Sequence, residues 1–172
     1  MFSLQKLAVS ALLFVGSASA AHTFNLVNRC GSGVPLLVHN WGRTPYTGAQ
    51  PGTVGAGQTR TLTMPDGWNG RICHNVGGCG NSCYGSCSMT EFNLDTGDFY
   101  TPQAYDISNI QGYTIAQSIS VANDGGCQSV TCRAANCPCS QAYPIGDLSG
   151  CGNDSPVRAC GAGAKAFTIT CC

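Results

Sequence analysis

The chain has 172 residues, of which only 9% are charged, and its eight Lys and Arg balance its eight Asp and Glu. Nucleic-acid binding and electrostatic membrane attachment both need a basic excess, so this composition excludes both classes. Thirteen cysteines stand out against this neutral background. So dense a set indicates disulfides that persist in an oxidising, extracellular compartment.

The first twenty residues have the features of a secretory leader. Lys6 supplies a positive charge, residues 7–15 form an apolar run too short to span a bilayer, and small residues follow at 17–20. We predict that residues 1–20 are a signal peptide and that residues 21–172 form one domain. No later segment has the length and apolarity of a membrane span. We therefore expect a secreted monomer, extracellular or held in a cell wall.

Strand-forming residues dominate the mature chain, and no segment has the apolar spacing of an amphipathic helix. Gly, Pro, Asn and Asp separate the candidate strands, with a hairpin turn predicted at 95–98 and a surface loop at 44–57. This pattern indicates an all-β sandwich. Period-two alternation or a short apolar run occurs at residues 23–27, 34–38, 58–64, 90–94, 104–110, 113–121 and 166–170.

The cysteine count is odd, so at most six intrachain disulfides can form and one thiol is left over. Adjacent cysteines rarely bond each other without strain, so Cys171 or Cys172 is the expected source of that thiol. Cysteine, Gly, Pro and Ala dominate residues 127–160. We interpret this segment as a small loop-rich lobe that disulfides hold to the sandwich.

Two metal-site hypotheses are open but not favoured. Three cysteines at four-residue spacing within residues 79–87, near His74, suit zinc, but an oxidising compartment opposes free thiolates. Leader cleavage after Ala21 would make His22 the N-terminus, where its amine and imidazole could bind copper together with His39 or His74. The preferred cleavage after residue 20 leaves Ala21 in front. We therefore expect neither a metal nor another cofactor.

Several short motifs occur in a fixed order along the mature chain. They are residues 24–30 with their Asn-x-Cys ending, 67–72, 90–92, 105–108 followed by Gly112-Tyr113, the Cys127-x4-Cys132 pair, Cys137-Pro138 and residues 168–171. In this order they resemble the thaumatin-like protein family. The resemblance covers most of the mature chain and implies an all-β, thaumatin-like β-sandwich with a short disulfide-rich lobe over about 127–160. It also implies a disulfide from Cys30 in the first strand to Cys171 in the last.

The family has an acidic cleft. In this sequence Arg71, Glu91 and Asp106 match three of the positions that line it. Glycoside hydrolysis usually needs two carboxyl groups, so Glu91 is the predicted acid and Asp106 the predicted base or nucleophile. Arg71 would hold a carboxylate or a sugar hydroxyl. Gln111 occupies a cleft position where the family usually has Asp. Tyr100 is the aromatic residue predicted to stack on a sugar.

The resemblance implies binding to β-1,3-glucan of fungal cell walls, with weak endo-β-1,3-glucanase activity. The replacement of an acid by Gln111 favours binding over turnover. The family's acidic cleft has one further Asp, in the part of the lobe that is shortened here. Asp147 or Asp154 could replace it. An Arg with two carboxylates is also a common structural ion-pair cluster. The alternatives are therefore a non-catalytic antifungal, defence or host-interaction protein with a protein or membrane target, or a structural wall protein.

Overall fold

In a computed structural model of the chain, the structure describes residues 21–97, 102–122, 124–147, 149, 151–152 and 156–172. The predicted leader, Tyr100 and Asp154 lie outside the described residues. No helix in the described part of the chain is long and apolar enough to cross a membrane. The strands found there are β1 (His22–Asn28), β2 (Val34–Arg43), β3 (Gly52–Val54), β4 (Thr59–Met64), β5 (Trp68–His74), β6 (Met89–Leu94), β7 (Gln103–Ser108), β8 (Gln117–Val121), β9 (Val130–Cys132), β10 (Arg158–Cys160) and β11 (Ala166–Cys171).

The strands form two sheets, which confirms the predicted all-β sandwich. The five-stranded sheet has the order β4-β1-β11-β8-β9, and the six-stranded sheet has the order β10-β7-β6-β5-β2-β3. β1 and β11 pair in parallel, whereas the other paired strands are antiparallel. Because the first and last strands lie side by side, both ends of the described domain belong to one layer.

Aromatic rings fill the space between the two sheets. Phe24 and Phe167 project inward from β1 and β11, and Trp68, Phe92 and Tyr105 project from the six-stranded sheet. The ring centroids of Phe24 and Phe92 are 4.7 Å apart, and those of Tyr105 and Phe167 are 5.4 Å apart, both edge-to-face. Each buried ring contributes about 1.5–3 kcal/mol of transfer free energy. Trp68 is fully buried, so its ring serves the core of the sandwich.

The predicted Cys30–Cys171 disulfide is wrong by one residue, because Cys30 bonds Cys172. Alternation along β11 explains the difference. Phe167, Ile169 and Cys171 point inward at period two, so the Cys171 thiol is buried in the core. Cys172 follows the end of β11 with a φ of 59° and turns away from that core. Cys171 is the free cysteine among the described residues, as the odd count required.

The other disulfides stabilise two regions that are rich in loops. Two bridges close the loop between β5 and β6, and their buried cysteines pack with Met89 in a second apolar cluster. Three bridges lie within residues 127–160. This predicted lobe also contains β9 and β10, which extend one edge of each sheet. The five pairs are Cys73–Cys83, Cys79–Cys87, Cys127–Cys160, Cys132–Cys137 and Cys139–Cys151.

The structure differs from the predicted strands in two places that matter. Residues 52–54, predicted as loop, form β3 and pair with the start of β2. β5 was not predicted from alternation, because both of its faces are largely buried and Asn69 and Gly70 interrupt the pattern. β5 carries Arg71. The resemblance singled out this residue as part of the cleft, although no strand was predicted at its position.

We expect the native protein to be unreactive toward a thiol reagent and to react at one thiol per chain after denaturation. Burial raises the pKa of Cys171 to about 11, so little thiolate forms near neutral pH and the reagent has no access. Peptide mapping should recover the Cys30–Cys172 bridge. A fast-reacting native thiol, or a peptide linking Cys30 to Cys171, would contradict this pairing.

Cys172→Ala should lower the free energy of unfolding by about 4–5 kcal/mol, because the bridge it removes closes nearly the whole domain. Cys171→Ala is the matched control. It removes a buried sulfur but no bridge and should cost only about 1 kcal/mol. Urea unfolding of both variants measures the difference. Equal losses in the two variants would be inconsistent with the assigned pairing.

Candidate functional site

The register of the six-stranded sheet places four ionisable side chains in one row. His39 of β2 lies opposite Arg71 of β5, Arg71 opposite Glu91 of β6, and Glu91 opposite Asp106 of β7. The flanking residue Phe92 points into the core. Because side chains alternate along a strand, the row must lie on the outer face of the sheet.

A cavity of about 170 Å³ opens on this face, beside the two carboxyl groups. An apolar cavity of roughly 150 Å³ accepts benzene, so the space suits one ring-sized group. Asn69 and Asn93 form a second row on the same face, two residues along their strands from Arg71 and Glu91. The complete lining is Trp41, Asn69, Glu91, Phe92, Asn93, Ala104, Asp106 and Val157.

Arg71 is buried beneath two exposed rings. Its Cζ lies 3.7 Å from the centroid of the Trp41 ring and 4.6 Å from that of Tyr84. Its Nη1 donates a 3.5 Å hydrogen bond to the carbonyl oxygen of Cys83. Its Nε is 4.0 Å from Glu91 Oε1, a distance that gives an ion pair without a hydrogen bond. Arg71 therefore stacks against the Trp41 ring and forms only a long ion pair with Glu91, a carboxylate that it was predicted to hold.

The two carboxyl groups differ in how strongly each keeps its proton. Burial raises the pKa of Glu91, while the charge of Arg71 and a hydrogen bond from Ser108 act in the opposite direction. Burial and the neighbouring Glu91 together raise the pKa of Asp106 well above its usual range. Asp106 Oδ1 is buried and finds no hydrogen-bond partner among the described residues. Both carboxyl groups therefore keep a proton to higher pH than exposed carboxyl groups do, and the pKa of Asp106 is the more strongly raised of the two.

The structure brings together three of the five predicted site residues. Arg71, Glu91 and Asp106 adjoin, whereas Gln111 is exposed in the loop after β7 and is not among the residues that line the cavity. Tyr100 lies outside the described residues. Among the candidates for the last acidic position, Asp147 accepts hydrogen bonds from the amides of residues 149 and 151 within its own loop.

Sequence reasoning missed several lining residues, and some of them had a readable signal. Asn69 lies two residues before Arg71, and Asn93 lies two residues after Glu91. Period-two spacing therefore put all four on the same face of adjacent strands. Tyr84 had no such signal, because its position depends on the disulfides of the loop that carries it.

Among the described residues, one group of side chains outside disulfides could hold a metal ion by its composition, namely His22, Asp66 and Asp95. His22 is fully buried, and its Nε2 lies 3.9 Å from Asp66 Oδ1 and 3.6 Å from Asp95 Oδ2. The backbone N–H of Lys165 donates to its Nδ1 at 3.3 Å. Since Nδ1 accepts this bond, the neutral ring carries its proton on Nε2, and that nitrogen has no free lone pair for a metal ion. His39 lies outside this group.

The zinc hypothesis is contradicted by the pairing of the cysteines within residues 79–87. Each of them forms a disulfide, so none offers the thiolate that zinc requires.

The chain has clear relatives among known plant proteins. It is 32% identical to the pathogenesis-related protein 1A/1B of Hordeum vulgare over 181 residues, which cover 93% of this chain and 92% of that protein. It is 31% identical to a thaumatin-like protein of Oryza sativa subsp. japonica over 157 residues, covering 78% of this chain and 79% of that one. No protein-family model matches the chain. The chain belongs to the thaumatin-like family.

Solved structures have the same fold. The thaumatin-like xylanase inhibitor TLXI superposes with a TM-score of 0.60 at 16% identity, over 87% of this chain and 98% of that one. The protein elicitor MoHrip2 from Magnaporthe oryzae superposes with a TM-score of 0.55 at 18% identity, over 88% and 99%. At this identity the likeness concerns the fold, and it confirms the predicted thaumatin-like sandwich.

Asp106→Asn should raise the melting temperature by a few degrees near neutral pH. A carboxyl whose pKa is raised by folding keeps a proton that the unfolded chain has lost, so it reduces stability as pH rises above the unfolded pKa of about 3.9. The amide removes that effect, and its advantage should vanish below about pH 4.

Asp124→Asn is the control of opposite sign. Asp124 pairs with Lys165 Nζ at 2.7 Å, and hydrogen bonding from this lysine lowers the pKa of the aspartate. Its replacement should lower the melting temperature at neutral pH and have no effect in acid. Thermal melts across the pH range measure both variants. A destabilised Asp106→Asn near neutral pH would contradict the raised pKa.

Proposed function

We propose that this protein binds β-1,3-glucan of fungal cell walls in the cavity on the outer face of the six-stranded sheet. Unpartnered polar atoms in the cavity wall carry this proposal. Asn93 Nδ2 is a buried donor and Asp106 Oδ1 a buried acceptor, each without a partner among the described residues. An unsatisfied buried polar group costs about 1–3 kcal/mol, so such atoms mark a place where a ligand supplies the partner. Sugar hydroxyls both donate and accept.

The apolar part of the lining supports the same ligand class. Trp41, Ala104 and Val157 offer surface for the C–H groups of a pyranose ring, while the two asparagines meet its hydroxyls. A mixed lining of this kind is typical of small-molecule sites, where a few polar groups orient the ligand. The near-neutral chain also suits an uncharged polymer.

Slow hydrolysis of internal glucan bonds is the second part of the proposal. Because Asp106 holds its proton more firmly, Asp106 would act as the acid and Glu91 as the nucleophile, the reverse of the roles predicted from the sequence. Glu91 and Asp106 lie directly opposite each other on neighbouring strands, which supplies the two carboxyl groups that glycoside hydrolysis usually needs.

A defence-type role outside the cell fits the relatives and the disulfides. The barley relative bears a pathogenesis-related name, and six bridges among the described cysteines suit an oxidising compartment. A non-catalytic role with a protein target is the second candidate. The half-exposed rings of Trp41 and Tyr84 favour it, because aromatic residues are enriched at protein interfaces.

The test uses the oxidised chain from residue 21 onward, incubated with insoluble β-1,3-glucan and, separately, with cellulose. We expect co-sedimentation with the β-1,3-glucan and slow release of reducing ends. Glu91→Gln and Asp106→Asn keep shape but not proton transfer, so each should still sediment while losing at least about a hundredfold in release. Failure to sediment with β-1,3-glucan would reject glucan binding and favour the protein target. Undiminished release by both variants would reject the carboxyl pair.

Val157→Trp should weaken glucan binding by at least about tenfold, because a larger side chain fills a cavity that has room for one ring. Ile145→Trp is the matched control, an exposed aliphatic residue that does not line the cavity. Its binding should stay within about twofold of the parent. Equal binding by both variants would place the glucan elsewhere on the surface.

A further inference from the structure

Two aromatic rings stand in contact with each other and with solvent beside the cavity. Trp41 is 50% exposed and Tyr84 is 55% exposed, whereas Trp68 and Tyr105 are almost completely buried. The Trp41 Nε1–H donates to the Tyr84 hydroxyl at 3.4 Å. Large aromatic rings usually gain stability by burial, so an adjacent exposed pair at the mouth of a polar cavity marks a contact surface. We call this pair the aromatic wall.

The aromatic wall is held in place before any ligand arrives. Trp41 is the extra residue of a β-bulge in β2, between Asn40 and Gly42, and such bulges often re-aim a side chain next to a functional site. Tyr84 follows Cys83, whose disulfide to Cys73 ties it to the neighbouring strand β5.

Arg71 joins the two rings from behind. Its guanidinium lies within 3.7 and 4.6 Å of their centroids, in the range of favourable cation–π contact. Rings fixed in this way lose little further entropy when a ligand stacks on them, so contact with the wall converts efficiently into affinity.

We propose that the aromatic wall is a second sugar-binding position, on which a pyranose ring of the chain stacks beside the ring held in the cavity. This inference rests on the proposed glucan function and deepens it. The cavity of about 170 Å³ holds one ring, and Trp41 belongs both to its lining and to the wall. A linked sugar that enters the cavity must therefore place its neighbour against Trp41 and Tyr84. The site recognises a run of sugars and not a monosaccharide.

The cation behind the rings restricts the class of ligand further. Arg71 already occupies one side of the π systems, and its positive charge disfavours a second cation on the exposed side. A β-linked glucose unit carries its hydroxyls around the ring edge and presents uncharged C–H faces. Such a face suits the wall, whereas an amino sugar polymer or a lysine-rich peptide does not.

Tryptophan fluorescence tests the aromatic wall directly, because Trp68 is fully buried and Trp41 is the exposed tryptophan. The oxidised protein is titrated with β-1,3-linked glucose oligomers from the monosaccharide to the hexasaccharide. We expect affinity to rise steeply between the monosaccharide and the trisaccharide. Bound trisaccharide should shift the emission to shorter wavelength and shield it from acrylamide. Trp41→Phe should abolish this spectral change while keeping affinity within about threefold, because a stacking ring remains.

Tyr84→Ala should weaken hexasaccharide binding by about tenfold and leave the low monosaccharide affinity unchanged, whereas Trp41→Ala should weaken the binding of both, because Trp41 also lines the cavity. Tyr84→Phe keeps the ring and should bind like the parent. Since Trp41→Ala also uncovers Arg71, recovery of binding in the phenylalanine variants separates stacking from structural damage. Ile145→Ala is the control for loss of exposed apolar surface.

Two outcomes would overturn the inference, and they differ in what they leave standing. Hexasaccharide binding with unchanged Trp41 emission and undiminished affinity in both alanine variants would remove the aromatic wall from the site, with the glucan function intact. Absence of any binding by β-1,3-glucan oligomers and by the insoluble polymer would reject the proposed function and the wall together.

Discussion

The antiparallel register of β5, β6 and β7 is the constraint on which the site depends, because it alone brings Arg71, Glu91 and Asp106 into one row. A slip of one residue in a strand would turn its functional side chain toward the core. Core packing on the opposite face prevents that slip. Phe92 follows Glu91 and Tyr105 precedes Asp106, and both rings are locked between the sheets. The aromatic core therefore fixes the chemistry on the other side of the sheet.

This arrangement has an electrostatic cost that the rest of the domain must offset. Two carboxyl groups share one face with a single arginine. The guanidinium of that arginine also stacks against two aromatic rings. The pair therefore keeps a proton and reduces stability as pH rises. The parallel pairing of β1 with β11 and the bridge from Cys30 to Cys172 close the sandwich and oppose that loss.

Period-two patterns predicted much of the fold and the central part of the site, but they failed where packing hides the period. β6 and β11 alternate visibly, and the resemblance placed Glu91 and Asp106 on strands that prove to be neighbours. β5 is buried on both faces, so its sequence lacks alternation. The resemblance also paired Cys30 with the wrong member of the final Cys-Cys, since only the inward phase of β11 separates the two. Side-chain phase within a strand, and not the cysteine count, decides such a pairing.

The carboxyl row and the aromatic wall depend on different forces. This difference explains why the carboxyl row could be predicted from the sequence and the aromatic wall could not. The carboxyl row follows from strand register, which leaves a trace in local sequence. Tyr84 in the aromatic wall depends on the Cys73–Cys83 and Cys79–Cys87 bridges, whose connectivity sequence spacing leaves undetermined. Reduction of those bridges would release Tyr84 while leaving Glu91 and Asp106 paired in the sheet. The cavity is therefore a property of the sandwich, whereas the aromatic wall, and with it the proposed preference for a run of sugars, depends on the disulfide loop.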